Sequence, residues 1–207
     1  DAHILDAGSG MGQYSWRMSR MGLRWKITGI DINKEDVASC NDFFRRAGLS
    51  GRVSFRCADL TTFNEPGSFD FILSVDVMEH IAEDEKVFCN FHDSLRKGGI
   101  LLISTPSDQG GSDVHDEHGE SFIGEHVRNG YGAGEITSKL QNAGFSEVKT
   151  MFTYGKPGSI SWRISMKYPV KLLNISKAFY LLLPFYYLIF SPISLILNVF
   201  DLRFKHR

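Results

Sequence analysis

Short apolar runs alternate with amphipathic stretches through the first 105 residues. HILDAG (residues 3–8) reads as a short buried strand, followed by a glycine loop and a helix over residues 13–21. WKITGIDI (25–32) reads as a second strand ending at Asp31. NKEDVASCNDFFRRAGLSG (33–51) reads as a helix, with Asn33 as N-cap and Gly48 as C-cap. RVSFRCADL (52–60) is a third strand. FDFILSVDV (69–77) is a fourth, near-continuously apolar, as a strand covered on both faces should be. EDEKVFCNFHDSLRKGG (83–99) reads as a helix stopped by glycines, and ILLISTP (100–106) as a fifth strand ended by Pro106. Five alternations of strand and helix predict a doubly wound α/β fold, with a mostly parallel sheet and crossovers on both faces.

The pattern then changes. Residues 107–134 are polar and glycine-rich, too long for a simple connection, and predict a lid over about residues 105–132. EITSKLQNAG (135–144) reads as a helix and SEVKTMFTY (146–154) as a sixth strand. ISWRISMKY (160–168) alternates like a strand, but Pro157, Gly158 and Ser159 before it resemble a helix start, and helix is the reading favoured. Residues 178–200 carry no charge at all. The expected organisation is a ligand-binding domain over 1–153 and an apolar, helical extension over 154–207.

Composition narrows the class. With 43% apolar and 23% charged residues, the 207-residue chain is globular. A formal net charge of -1 gives no reason to expect nucleic acid. Cys40, Cys57 and Cys89 are odd in number and lack CxxC or metal spacing, which suits a reducing compartment. No signal peptide is visible, and the chain opens directly on a strand, so further N-terminal residues are expected to precede it.

The loop ILDAGSGMGQYS (4–15) carries the first candidate chemistry. Glycines after a strand let the backbone turn sharply and let a ligand approach closely. The spacing is Gly8-x-Gly10-x-Gly12, whereas the dinucleotide fingerprint places its third glycine one residue later, where Gln13 stands. Asp6, two residues before the first glycine, disfavours a pyrophosphate and favours a cationic ammonium. Asp31, 19 residues after Gly12, is placed to accept hydrogen bonds from ribose hydroxyls. Asp59 and Leu60 close the third strand, where an adenine amino group and ring face would be read.

Together, Asp-x-Gly-x-Gly-x-Gly, the acid ending strand two, Ala-Asp-Leu after strand three, DFILSVDVMEHI on strand four and LRKGGILLISTP on strand five resemble the class I S-adenosylmethionine-dependent methyltransferases. The resemblance covers residues 3 to about 153, and the MEHI step with EHVRNGY is most similar to the quinone-biosynthesis-like branch acting on small molecules and lipids. It implies S-adenosylmethionine as cofactor and S-adenosylhomocysteine as product. Asp6 and the loop from Gly8 through Ser9, Gly10 and Gly12 to Gln13 would hold the methionine portion. Asp31 would bind the ribose, with Ile32 beside the adenine. Asp59 would bind the adenine amino group, with Leu60 packing nearby, and Ser74 and Val75 would meet the ligand through backbone groups. The family's helix before strand one and its antiparallel seventh strand are not visible here, which is expected of a truncated chain.

A sulfonium methyl is already activated, so a base is needed only for a protonated nucleophile. His80, just past strand four, is the catalytic candidate by position, with Glu79 beside it; a structural role for His80 is the competing reading. Glu79 and, in the lid, His126, Arg128 and Tyr131 are candidate substrate contacts, and an anionic headgroup would explain the arginine. The lid's His115, Asp116, Glu117, His118, Glu120 and Glu125 match no metal spacing, so no metal is expected.

In the tail, Pro184 and Pro192 interrupt the apolar run, which argues against one straight spanning helix. Lys167, Lys171 and Lys177 precede the run and Arg203, Lys205 and Arg207 follow it, which suits a short re-entrant or interfacial hairpin with both ends on the cytoplasmic face. A cover for an apolar cavity, a dimer face and a true span are the alternatives. The expectation is a peripheral, cytoplasmic-face methyltransferase of a hydrophobic or lipid-like small molecule, with oxygen the expected acceptor atom. The competing readings are a soluble small-metabolite methyltransferase whose tail forms a dimer interface, and a non-catalytic methyltransferase-like binding module. The oligomeric state is left open.

Overall fold

The computed structural model describes residues 1–109, 127–128, 130–153 and 155–204. They group into two compact units, one of Asp1–Thr105 with Gly134–Lys149, the other of the described residues in Pro106–Ala133 and Thr150–Arg207.

The first unit is built on a five-stranded, all-parallel sheet in the order β3-β2-β1-β4-β5. The strands are β1 His3–Ala7, β2 Lys26–Asp31, β3 Val53–Cys57, β4 Phe69–Val75 and β5 Leu95–Ser104. The helices between them are α1 Gln13–Met21, α2 Lys34–Arg46 and α3 Asp84–Ser94, and α4 Ala133–Asn142 follows β5. Asn33 caps α2 as its sequence position predicts, its side chain accepting from the amides of Glu35 and Asp36. One face of the sheet packs Ile4, Ile27, Val53 and Phe55 against Met18 of α1 and Val37, Cys40 and Phe44 of α2. The alternate residues Leu5, Ile30 and Ile72 point to the other face and are fully buried, as are Val87 and Phe88 of α3. The chain winds outward from β1 to β3, then crosses to β4. The reversal puts a crevice at the carboxyl ends of β1 and β4, the place where ligands bind in such sheets.

Three expectations need correction. α3 ends at Ser94 rather than running to Gly99. β5 pairs Leu95 with Phe69 and then Ile100 with Phe71, so residues 96–99 bulge from the ladder. The bulge has a cause in two places. Arg96 is held away from the strand by both carboxylate oxygens of Asp70 (2.8 and 2.7 Å), and Gly98 supplies a left-handed turn (φ 80°). The sixth strand does not form over 146–153, and Tyr154 lies outside the described residues. A strand exists only as a paired element, and no ladder among the described residues reaches this segment. The alternation there leaves Met151 and Phe152 exposed instead.

The second unit corrects the tail. Helix is the outcome for 160–168: α5 Lys156–Trp162 runs through a π-helical turn, Arg163–Lys167, into α6 Tyr168–Ile175. The expected interruption at the prolines is absent, and α7 is one helix, Leu183–Phe204. Pro184 lies in the first turn, where its missing N–H is an orphan in any case, and Pro192 sits inside the helix. α7 is held against the α5 stretch by buried polar contacts. Ser161 and Ser194 share a hydrogen bond of 2.5 Å, and the hydroxyls of Tyr186 and Tyr187 donate to the carbonyls of Ile164 and Ser165 (2.7 and 3.0 Å) in the π-turn. Asp201 accepts from the amide of Gly155, the N-cap of α5. These contacts offset the hydrogen bond that Pro192 removes. The hairpin is therefore formed by α7 against α5, not within residues 178–200.

Candidate functional site

The glycine loop leaves β1 and enters α1, and its three glycines answer three separate demands. All have positive φ (77°, 46° and 74° at Gly8, Gly10 and Gly12). A Cβ on Gly8 would lie 2.3 Å from Val77, and one on Gly12 would press on Cys40 and Phe55, so both are needed for packing. Gly10 has nothing near its Cβ position, so it alone presents bare backbone to open space. The amides of Gly8 and Ser9 are tied to the carbonyl of Ile30 on β2.

Asp31, at the end of β2, accepts from the Gly10 amide at 2.7 Å and from Asn33 at 2.9 Å. The acid expected at the ribose also pins the tip of the loop. Ile32 beside it is 71% exposed, which leaves an apolar side chain open for a ring to cover. Asp59 accepts from the amide and hydroxyl of Thr61, and Leu60 is buried. The carbonyls of Leu60 and Thr61 are held by Asn90 of α3 (2.9 and 3.1 Å). Asn90 escaped the sequence reading because no local pattern marks a residue that reaches a turn thirty positions away. Gln13 begins α1 and is exposed. Asp6 is closed off from solvent and accepts from the hydroxyl of Ser15 in α1 at 2.6 Å. Burial pushes its carboxyl up to about 6 against the pull of that hydrogen bond.

Val75 and buried Ser74 end β4. The next residue, Asp76, has φ 54°, a left-handed conformation that non-glycine residues rarely adopt and that clusters at functional sites. Burial raises the Asp76 carboxyl although one side of it meets solvent, and His80 opposes the rise. Glu79 is buried in the following 3-10 turn, Met78–His80, and accepts from Thr105 at 3.2 Å. Burial raises it too, with Asp76 adding to the effect. His80 is exposed at the end of this turn. Asp76, Glu79 and His80 thus form one titratable cluster past β4. Asp76 was missed by sequence reading, although an acid at the carboxyl end of a central strand was the available signal.

Arg128 and Tyr131 belong to the second unit. Arg128 stacks its guanidinium 4.8 Å from the Tyr131 ring. Tyr131 pairs with Ser107, its amide donating to Pro106 and its carbonyl accepting from Asp108, so the long loop closes on itself at its base. His126 and the lid's His115, Asp116, Glu117, His118, Glu120 and Glu125 lie outside the described residues. Among the described residues no group of three metal-binding side chains occurs.

The residues fit a nucleoside cofactor without pyrophosphate. Between Ile4 and Ser15 there is no lysine or arginine to offset phosphate charge, while Asp6, Asp31 and Asp59 stand in or just past the carboxyl-terminal parts of β1, β2 and β3. The hydroxyls of Ser9 and Ser74 are buried without a partner among the described residues, two orphaned polar groups at the loop and at β4. The acids favour a ligand with an ammonium and ribose hydroxyls over a diphosphate, and the two serine hydroxyls can donate or accept.

Comparison with known proteins agrees. The model of a methyltransferase domain matches residues 1–154. Phosphoethanolamine N-methyltransferase 1 of Arabidopsis thaliana is 34% identical over 128 residues, 55% of this chain and 26% of that protein. The ubiquinone biosynthesis O-methyltransferase of Rhizobium etli is 28% identical over 103 residues, 49% of this chain and 40% of that protein. This chain therefore spans between a quarter and two-fifths of these two relatives. Among solved structures, the [4+2]-cyclase SpnF superposes with a TM-score of 0.61 at 26% identity, covering 72% of this chain and 53% of that one. A putative sarcosine dimethylglycine methyltransferase from Galdieria sulphuraria shares the fold, with a TM-score of 0.65 at 20% identity, covering 95% of this chain and 68% of that one. The doubly wound sheet and its crevice define a Rossmann-like domain. The chain belongs to the class I S-adenosylmethionine-dependent methyltransferases, whose cofactor is S-adenosylmethionine.

Proposed function

We propose that the protein transfers a methyl group from S-adenosylmethionine to an oxygen of a hydrophobic, lipid-like small molecule, working peripherally on the cytoplasmic face of a membrane. The cofactor, when bound, supplies a methyl carbon on a sulfonium leaving group. The chain's own residues do the rest. The Gly8–Gly12 loop, Asp31 and Asp59 hold and orient the nucleoside, and Ser9 and Ser74 offer hydroxyls that need partners. His80 takes the proton from the acceptor hydroxyl, with the Asp76 and Glu79 carboxyls beside it to balance the charge it gains. A base at this place suits a hydroxyl acceptor, which starts protonated. The curated relatives include both O- and N-methyltransferases.

The observation that carries the acceptor class is α7. Over Leu183–Leu202 its mean hydropathy is 1.7, and only 6% of its most apolar window is buried. Exposed Phe185, Leu188, Ile189, Leu195, Ile196 and Leu202 are stable only against lipid or another apolar surface. At about 1.5 Å per residue, its 22 residues reach ~33 Å, comparable with a bilayer core. The test is incubation of the chain with methyl-labelled cofactor and membrane lipid extract, alongside vesicle flotation. Label in the lipid phase and flotation with vesicles support the proposal. No S-adenosylhomocysteine from any lipid fraction overturns the activity. A chain that stays below the vesicles and sediments as a dimer overturns the membrane part, because a second copy would then cover α7.

A further inference from the structure

The sheet-bearing unit carries a surface that the cofactor site does not use. From Gln13 to Lys26 the chain has four basic residues, Arg17, Arg20, Arg24 and Lys26, and no acid. α1 buries Ser15, Met18 and Ser19. Beyond Gln13, which belongs to the loop site, the residues left outside form one continuous arc of Tyr14, Trp16, Arg17, Arg20 and Met21. Tyr14 and Trp16 are each 37% exposed, and Met21 is 67% exposed; in the turn that follows, Leu23 is 79% exposed. The Arg20 guanidinium lies 5.5 Å from the Trp16 ring. Arg24 meets Asp1 at 3.3 Å, both side chains more than three-quarters exposed, so the excess positive charge of this face rests on Arg17 and Arg20. The neighbouring helix is balanced over its length: α2 carries Lys34, Arg45 and Arg46 against Glu35, Asp36 and Asp42, and both arginines are bound to Asp42.

A convex arc of arginines, a tryptophan, a tyrosine and protruding methionine and leucine tips has the composition of a membrane-interface contact. The aromatic rings and aliphatic tips suit the headgroup boundary, and the guanidinium groups suit lipid phosphates. We propose that this face of α1, with the turn through Leu23 and Arg24, docks on anionic phospholipid headgroups as a contact separate from α7. Charge complementarity selects the partner, since a net basic face is attracted to a negative surface and gains little from a neutral one. α1 begins directly after the glycine loop, so docking would anchor the cofactor loop close to the lipid surface. The proposal is independent of which acceptor is methylated.

The experiment is vesicle co-sedimentation of the full chain, with phosphatidylcholine alone and with phosphatidylglycerol mixed in. Each basic residue near an anionic surface contributes roughly fivefold to partitioning, so Arg17→Gln with Arg20→Gln should weaken binding to mixed vesicles by roughly 25-fold. Binding to neutral vesicles, carried by α7, should not change. Brominated lipid should quench part of the tryptophan fluorescence on mixed vesicles, and that part should vanish in Trp16→Phe. Arg17→Lys with Arg20→Lys keeps the charge and should bind as the natural chain does, which separates a charge effect from a folding defect. Equal binding to both kinds of vesicle, an unchanged double glutamine variant, or no Trp16 quenching would each overturn the proposal. None of these outcomes bears on methyl transfer, which the lipid-extract incubation measures separately.

Discussion

Asp6 offers a direct test of how the loop is built. Its carboxyl is 2% exposed and is raised from 3.8 to about 6, with burial outweighing the Ser15 hydrogen bond. The gap of about two pH units, at about 1.36 kcal/mol each, amounts to about 3 kcal/mol. The sign follows from which state holds the proton. Between about pH 4 and 6 the folded chain keeps a proton that the unfolded chain has lost. The favourable contribution is complete below about pH 4 and is lost as the pH rises through 6. Asp6→Asn does not titrate, and its amide oxygen still accepts from Ser15. Urea unfolding of both forms from pH 4 to 7.5 gives the difference curve, in which other titrating groups, including Asp76 and Glu79, cancel. The variant's relative stability should rise by about 3 kcal/mol across that range, and a flat difference would refute the burial argument. The same carboxyl reports on the ligand. If the cofactor's ammonium is held by Asp6, S-adenosylhomocysteine binding near pH 6 should release about half a proton, read by calorimetry in buffers of different ionisation enthalpy. Binding without proton release would leave Asp6 as a brace for α1 only.

Three further outcomes follow from particular contacts. Gly8→Ala combines a left-handed φ of 77° with a Cβ 2.3 Å from Val77, and should destabilise the fold by roughly 2–5 kcal/mol in urea titrations; Val77→Ala should restore the packing part but not the backbone part. His80→Gln should lower kcat roughly 10²–10⁴-fold while leaving S-adenosylhomocysteine affinity intact by calorimetry; an unchanged rate would assign His80 a structural role. Ser161→Ala should destabilise the α5–α7 pair by roughly 1–3 kcal/mol, because the Ser194 hydroxyl is left buried with its main partner gone. Ser161→Ala with Ser194→Ala should cost much less, and a double-mutant cycle on thermal unfolding in one detergent would show it.

Where the sequence read well, several local signals agreed. Strands β1 to β4 are apolar runs bounded by glycine, acid or helix signals, and α2 has both a cap and a helical period. The acids at the strand ends were legible because the topology of a doubly wound sheet brings all carboxyl ends to one edge. The failures share a physical cause, which is that each depended on a partner distant in sequence. The sixth strand lacked a ladder to join. α3 stops five residues early because Asp70 holds Arg96 out of line, a pairing across 26 positions. Asn90 is needed at the Asp59 turn, yet nothing around it in sequence says so.

The tail shows the same limit with the opposite result. Two prolines in a 23-residue uncharged run argue locally for a break, yet α7 continues through Pro192. The compensation comes from α5. Its π-turn presents the carbonyls of Ile164 and Ser165 to the hydroxyls of Tyr186 and Tyr187, and Ser161 meets Ser194 one turn of helix beyond Phe190. Wider turns of this kind inside helices often mark functional positions. Here the turn has a structural consequence that matters in lipid. It satisfies inside the hairpin the tyrosine and serine hydroxyls that a hydrocarbon surrounding would leave unpaired. The pairing of these polar groups within α5–α7 thus fixes how the two helices meet, and it is the outward apolar face of α7, not these hydroxyls, that the flotation experiment reads.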